Sequence, residues 1–152
     1  MADPDRDAVY LAEDRLARLA RHEGPMVVAG RITRVEPDLE FTSLSAARLF
    51  CTLTCLERGL PPVQVRLRRG DAKSHYSAHD QQIALASWGG WRSVVVHELA
   101  HHAVQHTVDG PVASHGAAFR RAHLDLLRHL GLPAQARTLA DFYAQAGLED
   151  HD

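Results

Sequence analysis

The sequence predicts an α+β domain with a small, mostly antiparallel sheet packed against helices. Three observations lead there. Segments with the two-residue alternation of strands gather before residue 90, segments with helical periodicity dominate the remainder, and no linker or internal repeat divides the 152 residues.

Val9, Ala12, Leu16, Leu19 and Ala20 recur at helical spacing, so residues 7–22 read as a helix that stops at Gly24 and Pro25. Residues 26–35, MVVAGRITRV, are rich in β-branched side chains and read as a strand weakened by Gly30. Thr42, Ser43 and Ser45 offer N-caps to a second helix that runs to about residue 58, where Gly59, Pro61 and Pro62 end it. Cys51 and Cys55 share a face of that helix. They read as small core residues, since two thiolates on a metal would need a further soft ligand nearby.

Val63, Val65 and Leu67 then alternate with Gln64, Arg66 and Arg68, the period of a strand with one buried face. A further strand is expected over 81–87, with Ile83 and Leu85 on one side and Ala84 and Ala86 on the other. Lying at a sheet edge, it would let a substrate chain add alongside through main-chain hydrogen bonds. Trp88, Gly89 and Gly90 break the pattern, and residues 91–107 return to helical periodicity until Asp109, Gly110 and Pro111. The next helix is expected over 115–130, burying Phe119, Leu126, Leu127 and Leu130 and stopped by Gly131 and Pro133. The last, over 136–146, carries Ala136, Leu139, Ala140 and Tyr143 on one side and ends at Gly147. The whole chain, 1–152, reads as a single domain whose charged ends, 1–6 and 149–152, are expected to fray.

A 45% hydrophobic, 24% charged composition with a net charge of −2 excludes collagen-like, disordered and membrane-spanning classes. The 17 basic residues are spread along the chain, and Arg66, Arg68 and Arg69 are few charges at a strand end. Nucleic acid is therefore not an expected partner, because such binding rests on neutralising many phosphates from one face. The acidic start, MADPDRDAVY, lacks the basic opening and apolar stretch of an export signal, and two cysteines form no disulfide framework. A cytoplasmic location is expected, with no membrane association and no obligate protein partner. The unusual count is 11 histidines.

The chemistry concentrates in His97-Glu98-Leu99-Ala100-His101. On a helix, histidines four residues apart differ in direction by only about 40°, so both imidazoles can reach one ion. Zinc takes nitrogen donors in a tetrahedral set, and such a pair supplies two corners without backbone strain. Glu98 points about 100° away. It stands beside the ion, where it can take a proton from water instead of displacing it. Given 11 His and 7 Glu, chance yields roughly 0.04 such motifs in a chain of this length. Val94, Val95, Val96, Leu99, Ala100, Ala103 and Val104 surround it, and burial among them would leave His and Glu unpaired at considerable cost unless a metal satisfied them.

A catalytic zinc usually keeps three protein ligands and an open position. His115, opening the next helix after the turn at Gly110 and Pro111, is the candidate third ligand. His102 and His106 lie on a neighbouring face with no adjacent Glu and read as surface residues of the helix. His123 and His129 read as surface or packing residues, with His123 on the same broad face as Phe119 and a candidate supporting group. Tyr76, His75 and Tyr143 are candidates to stabilise a developing oxyanion.

HELAHH, thirteen residues between His101 and His115, and then HGAAF before a leucine-rich helix resemble the SprT-like branch of the zincins, most closely small metallohydrolases of high-GC bacteria. The similarity extends through SHYSAHDQQIALASWGGW. It implies a minimal zincin-like fold, one Zn2+ per chain held between two consecutive helices by His97, His101 and His115, and Glu98 as catalytic base. The implied activity is that of a zinc metallopeptidase acting on a peptide or protein. SprT-type proteins often append a Cys-rich ribbon or a DNA-binding tail, and neither is visible here, so DNA-dependent proteolysis is not implied. Val104 and Thr107 stand where metzincins have Gly and His. After Glu98 the only glutamate is Glu149, an unconvincing gluzincin ligand. Two other readings stand beside the peptidase: a non-catalytic zinc module whose surface serves a partner, and a hydrolase of a small non-peptide amide. Glu98 separates the first from an enzyme, since a structural site needs no base.

Overall fold

A computed structural model describes residues 1–70, 73–87 and 90–148. Trp88 and Gly89 of the expected break, and the expected tail at 149–152 with Glu149, lie outside the described residues. Along the chain run α1 (Arg6–Arg21), β1 (Met26–Val28), β2 (Arg31–Thr33), α2 (Leu44–Arg58), β3 (Gln64–Leu67), β4 (His75–Ser77), β5 (Gln82–Leu85), α3 (Arg92–Thr107), α4 (Ala117–His129) and α5 (Pro133–Gln145). Among the described residues, five helices and two small sheets, two of whose three strand pairings are antiparallel, make an α+β fold. No helix among the described residues is long and apolar enough to cross a membrane. Contacts group the chain into two compact units, one of residues 1–38 with those from Pro111 onward, the other of residues 39–110.

In the first unit α1 buries the stripe its periodicity predicts, Val9, Ala12, Leu16, Leu19 and Ala20, and packs on α5, which also packs on α4. Each large apolar side chain so buried contributes roughly 1.5–3 kcal/mol. The expected strand at 26–35 is instead a hairpin, with Met26–Val28 antiparallel to Arg31–Thr33. Ala29 and Gly30 both take positive φ, 48° and 77°, as a tight two-residue hairpin turn requires. The glycine that weakened the strand reading is the residue that reverses the chain.

Helix α5 begins three residues earlier than expected. Pro133 does not stop α4; it occupies the first turn of α5, where its missing N–H costs nothing. The open N–H groups behind it are met from a distance in sequence: the Glu36 carboxylate accepts from the Ala134 and Gln135 amides at 3.0 and 2.9 Å.

In the second unit Ser43 caps α2, its Oγ accepting from the Ala46 amide at 3.1 Å, and Gly59 ends it in the left-handed region at φ 65°. Cys51 and Cys55 are buried on the inner face of α2. Helix α2 packs on β3 and α3, and α3 packs on β4 and β5. The sheet order is β3-β5-β4, with β3 parallel and β4 antiparallel to β5. This corrects the expectation of an edge position for residues 81–87: β5 is the central strand, paired on both sides, and no further chain can add to it. The three-residue β4 is too short to show a period in the sequence. Because it turns back beyond β5, β3 and β5 run in the same direction. Leu67 ends a four-residue edge strand and is 57% exposed, so only Val63 and Val65 of the expected stripe are buried.

Candidate metal centre

Helix α3 places His97 and Glu98 among its buried residues, next to the fully buried Val95, Val96, Leu99 and Ala100. Two apolar neighbours on either side drive this face inward, and the histidines are carried with it. The Nε2 atoms of His97 and His101 lie 3.3 Å apart, with the rings at 73° and centroids 5.0 Å apart. That separation matches the edge of a tetrahedron, about 3.3 Å, for nitrogens bound to zinc at 2.0–2.1 Å. In both rings the facing atom is Nε2, so the same tautomer would present it to one ion. The donor set and spacing thus fit a divalent ion of the zinc type.

The neighbouring face of α3, about 100° round from His101, is tied to the rest of its unit through His102. The sequence reading put His102 at the surface, but the structure buries it completely. Its Nε2 donates to the Pro61 carbonyl at 2.7 Å, and its Nδ1 lies 2.8 Å from the Tyr76 hydroxyl. A carbonyl only accepts, so Nε2 carries the proton, and in the neutral ring Nδ1 accepts from Tyr76. Burial, the largest influence, lowers the His102 pKa below the ordinary histidine value and keeps the ring neutral; the charge of His106 acts the same way, against the Pro61 carbonyl. The signal for this role was present: Val95, Leu99 and His102 are spaced four and three apart, which puts His102 on the buried stripe.

Tyr76, on β4, is therefore committed by its hydroxyl, which also meets the Gln105 side chain, while its ring lies parallel to that of His101 at 6.5 Å. Desolvation, with a smaller contribution from Cys55, pushes the phenol up to about 12. His75 is exposed on the same edge strand. Cys51 is likewise pushed up to about 12 by burial and by Cys55, and burial raises Cys55. Both are thiols at neutral pH and pack as core residues.

In the first unit His115 sits in the turn ahead of α4, two residues before its first helical position, and is buried. Its ring contacts those of Tyr10 and Phe119, with centroids 5.1 and 4.9 Å away. The segment expected to fray holds it: Asp3 Oδ2 lies 2.7 Å from His115 Nδ1, and Asp3 Oδ1 accepts from the His115 amide at 3.1 Å. Asp5 accepts from Arg120 at 2.7 Å, and Arg120 donates also to the His115 carbonyl. These contacts are ion pairs and hydrogen bonds to groups 112 and 115 residues away, which local reading of a charged terminus has no means to detect. His123 is buried on α4, with its Nδ1 3.0 Å from Glu13 Oε1, and His129 is exposed near the helix end. Tyr143 is buried on α5. Comparison of the chain with family models, curated proteins and solved structures finds no match.

Proposed function

We propose that this chain is a zinc-dependent hydrolase of the HExxH kind, a metallopeptidase similar to SprT-like zincins, with His97, His101 and His115 as ligands of one Zn2+ and Glu98 as general base. The observation that carries the reading is the 3.3 Å between the Nε2 atoms of His97 and His101 on one part-buried helical face, the spacing of two corners of a zinc tetrahedron. His115 supports it: a carboxylate on the far ring nitrogen, as Asp3 provides, is the usual support of a ligating histidine. When bound, zinc polarises the scissile carbonyl and lowers the pKa of water toward about 7.

The chain's own groups do the rest. Glu98, adjacent in sequence to a ligand but turned about 100° from it, takes the proton of the attacking water and returns it to the leaving amine. The buried Val and Leu neighbours of α3 limit water around that carboxylate and strengthen its electrostatic influence. The network of Tyr76, His102 and Pro61 holds α3 from behind, so the two ligands keep their spacing. Buried, unpaired thiols at Cys51 and Cys55 suit a reducing compartment, and the cytoplasm is the proposed location.

Elemental analysis and turnover of Glu98→Gln test the reading together. The expected result is one zinc per chain in both proteins, with hydrolysis of a quenched peptide library lost by at least about 100-fold in the variant. Zinc retained with no hydrolysis of peptides or small amides by the parent chain would refute catalysis and leave a structural zinc module. Full activity in Glu98→Gln would refute the assigned base.

A further inference from the structure

We propose that Asp3 is a positioning residue for His115: its carboxylate selects the tautomer with the proton on Nδ1 and so leaves Nε2 as the atom that can bind a metal. This rests on His115 being a ligand, as argued above.

A carboxylate offers only acceptors, so the imidazole nitrogen that faces it must carry a hydrogen. In the neutral ring that leaves the lone pair on Nε2. The grip is double. Oδ2 meets the ring at 2.7 Å while Oδ1 takes the backbone amide of the same residue at 3.1 Å, so one group sets both the main chain and the side-chain torsions of His115. Ring contacts with Tyr10 and Phe119 restrict its rotation. Asp3 is itself held in place two residues on, where Asp5 binds Arg120, whose guanidinium also donates to the His115 carbonyl. The residues ahead of α1 therefore act as a brace for the turn that carries His115.

The two oxygens make a discriminating variant available. In Asp3→Asn the amide oxygen can keep the bond to the backbone N–H, but its NH2 then faces Nδ1 and requires a lone pair there, which drives the proton to Nε2. Asp3→Ala removes the preference without reversing it, and Asp3→Glu keeps a carboxylate. The full chain, stripped of metal and held near pH 8, where imidazoles are neutral, is read by long-range 1H–15N correlation, with His115 assigned from His115→Asn. The parent is expected to show the proton on Nδ1 and Asp3→Asn to show it on Nε2. Zinc affinity, measured by competition with a chromophoric chelator, should fall about 10–100-fold in Asp3→Asn, less in Asp3→Ala and least in Asp3→Glu. Circular dichroism of each variant confirms folding.

A parent chain with its proton on Nε2, or an Asp3→Asn variant with parental zinc affinity, overturns the proposal. A parent that binds no zinc yet shows the Nδ1–H form, reversed in Asp3→Asn, upholds the hold of Asp3 on the tautomer and refutes the metalloenzyme reading instead.

Discussion

Replacing Tyr76 by Phe removes a single oxygen from the support behind α3. The one proton of the hydroxyl is shared between Nδ1 of His102 and the Gln105 amide oxygen; the other nitrogen of His102 is already committed to the Pro61 carbonyl, and His102 is wholly buried. Without the donor, Nδ1 keeps a lone pair that neither water nor a neighbour satisfies. An unsatisfied buried acceptor costs about 1–3 kcal/mol. Gln105, the second partner, is exposed, so its oxygen returns to water at little cost, and the ring contacts with His101 and His102 survive in Phe. The expected loss is about 2 kcal/mol, or a fall in Tm of about 4–8 °C for a chain of this size. Urea and thermal melts of the metal-free protein measure it. A loss under about 0.5 kcal/mol would refute the hydrogen-bond assignment. The same variant decides what the hydroxyl does in turnover. A transition-state donor would cost about 10²–10³ in kcat, whereas a hydroxyl that braces the helix should cost less than about tenfold while the protein is folded.

Two other outcomes follow from the same geometry. Ala84→Pro, in the strand paired to both neighbours with Ala84 opposite Arg66 and His75, should destabilise the unit of residues 39–110 by about 3 kcal/mol or more; a melt unchanged from the parent would contradict the central position of β5. The burial that lowers the His102 pKa makes the unfolded chain bind a proton before the folded one does. Its contribution is fully present above the unfolded value of about 6.5 and is lost as pH falls through the lower folded value. Thermal melts of the metal-free protein should therefore decline below about pH 6.5, with the His102 proton resonance titrating lower still; a His102 that titrates above 6.5 would reverse the sign and refute the burial argument.

The sequence by itself determined the class of fold, the course of α1, α2 and α3, and the motif of His97, Glu98 and His101, because each is encoded within four residues or within a repeating period. Helical spacing forces the two histidines onto one side of any helix that contains them. Ser43 and Gly59 announce α2 because capping is a local hydrogen-bond requirement. What the tertiary structure decided are matters of partners far apart in the chain. Strand order is one: β5 is legible as a short apolar stretch and β4 is not, and which lies in the middle depends on pairings 5 to 18 residues apart. The start of α5 is another, since the carboxylate that caps it is Glu36, about a hundred residues earlier. His102 reads as a surface residue, yet Tyr76 and Pro61 meet both of its nitrogens and it is buried, and Asp3 reads as part of a frayed end, yet its carboxylate lies on His115. A polar side chain is buried only where another group completes its hydrogen bonds, and the identity of that group is a property of the folded chain.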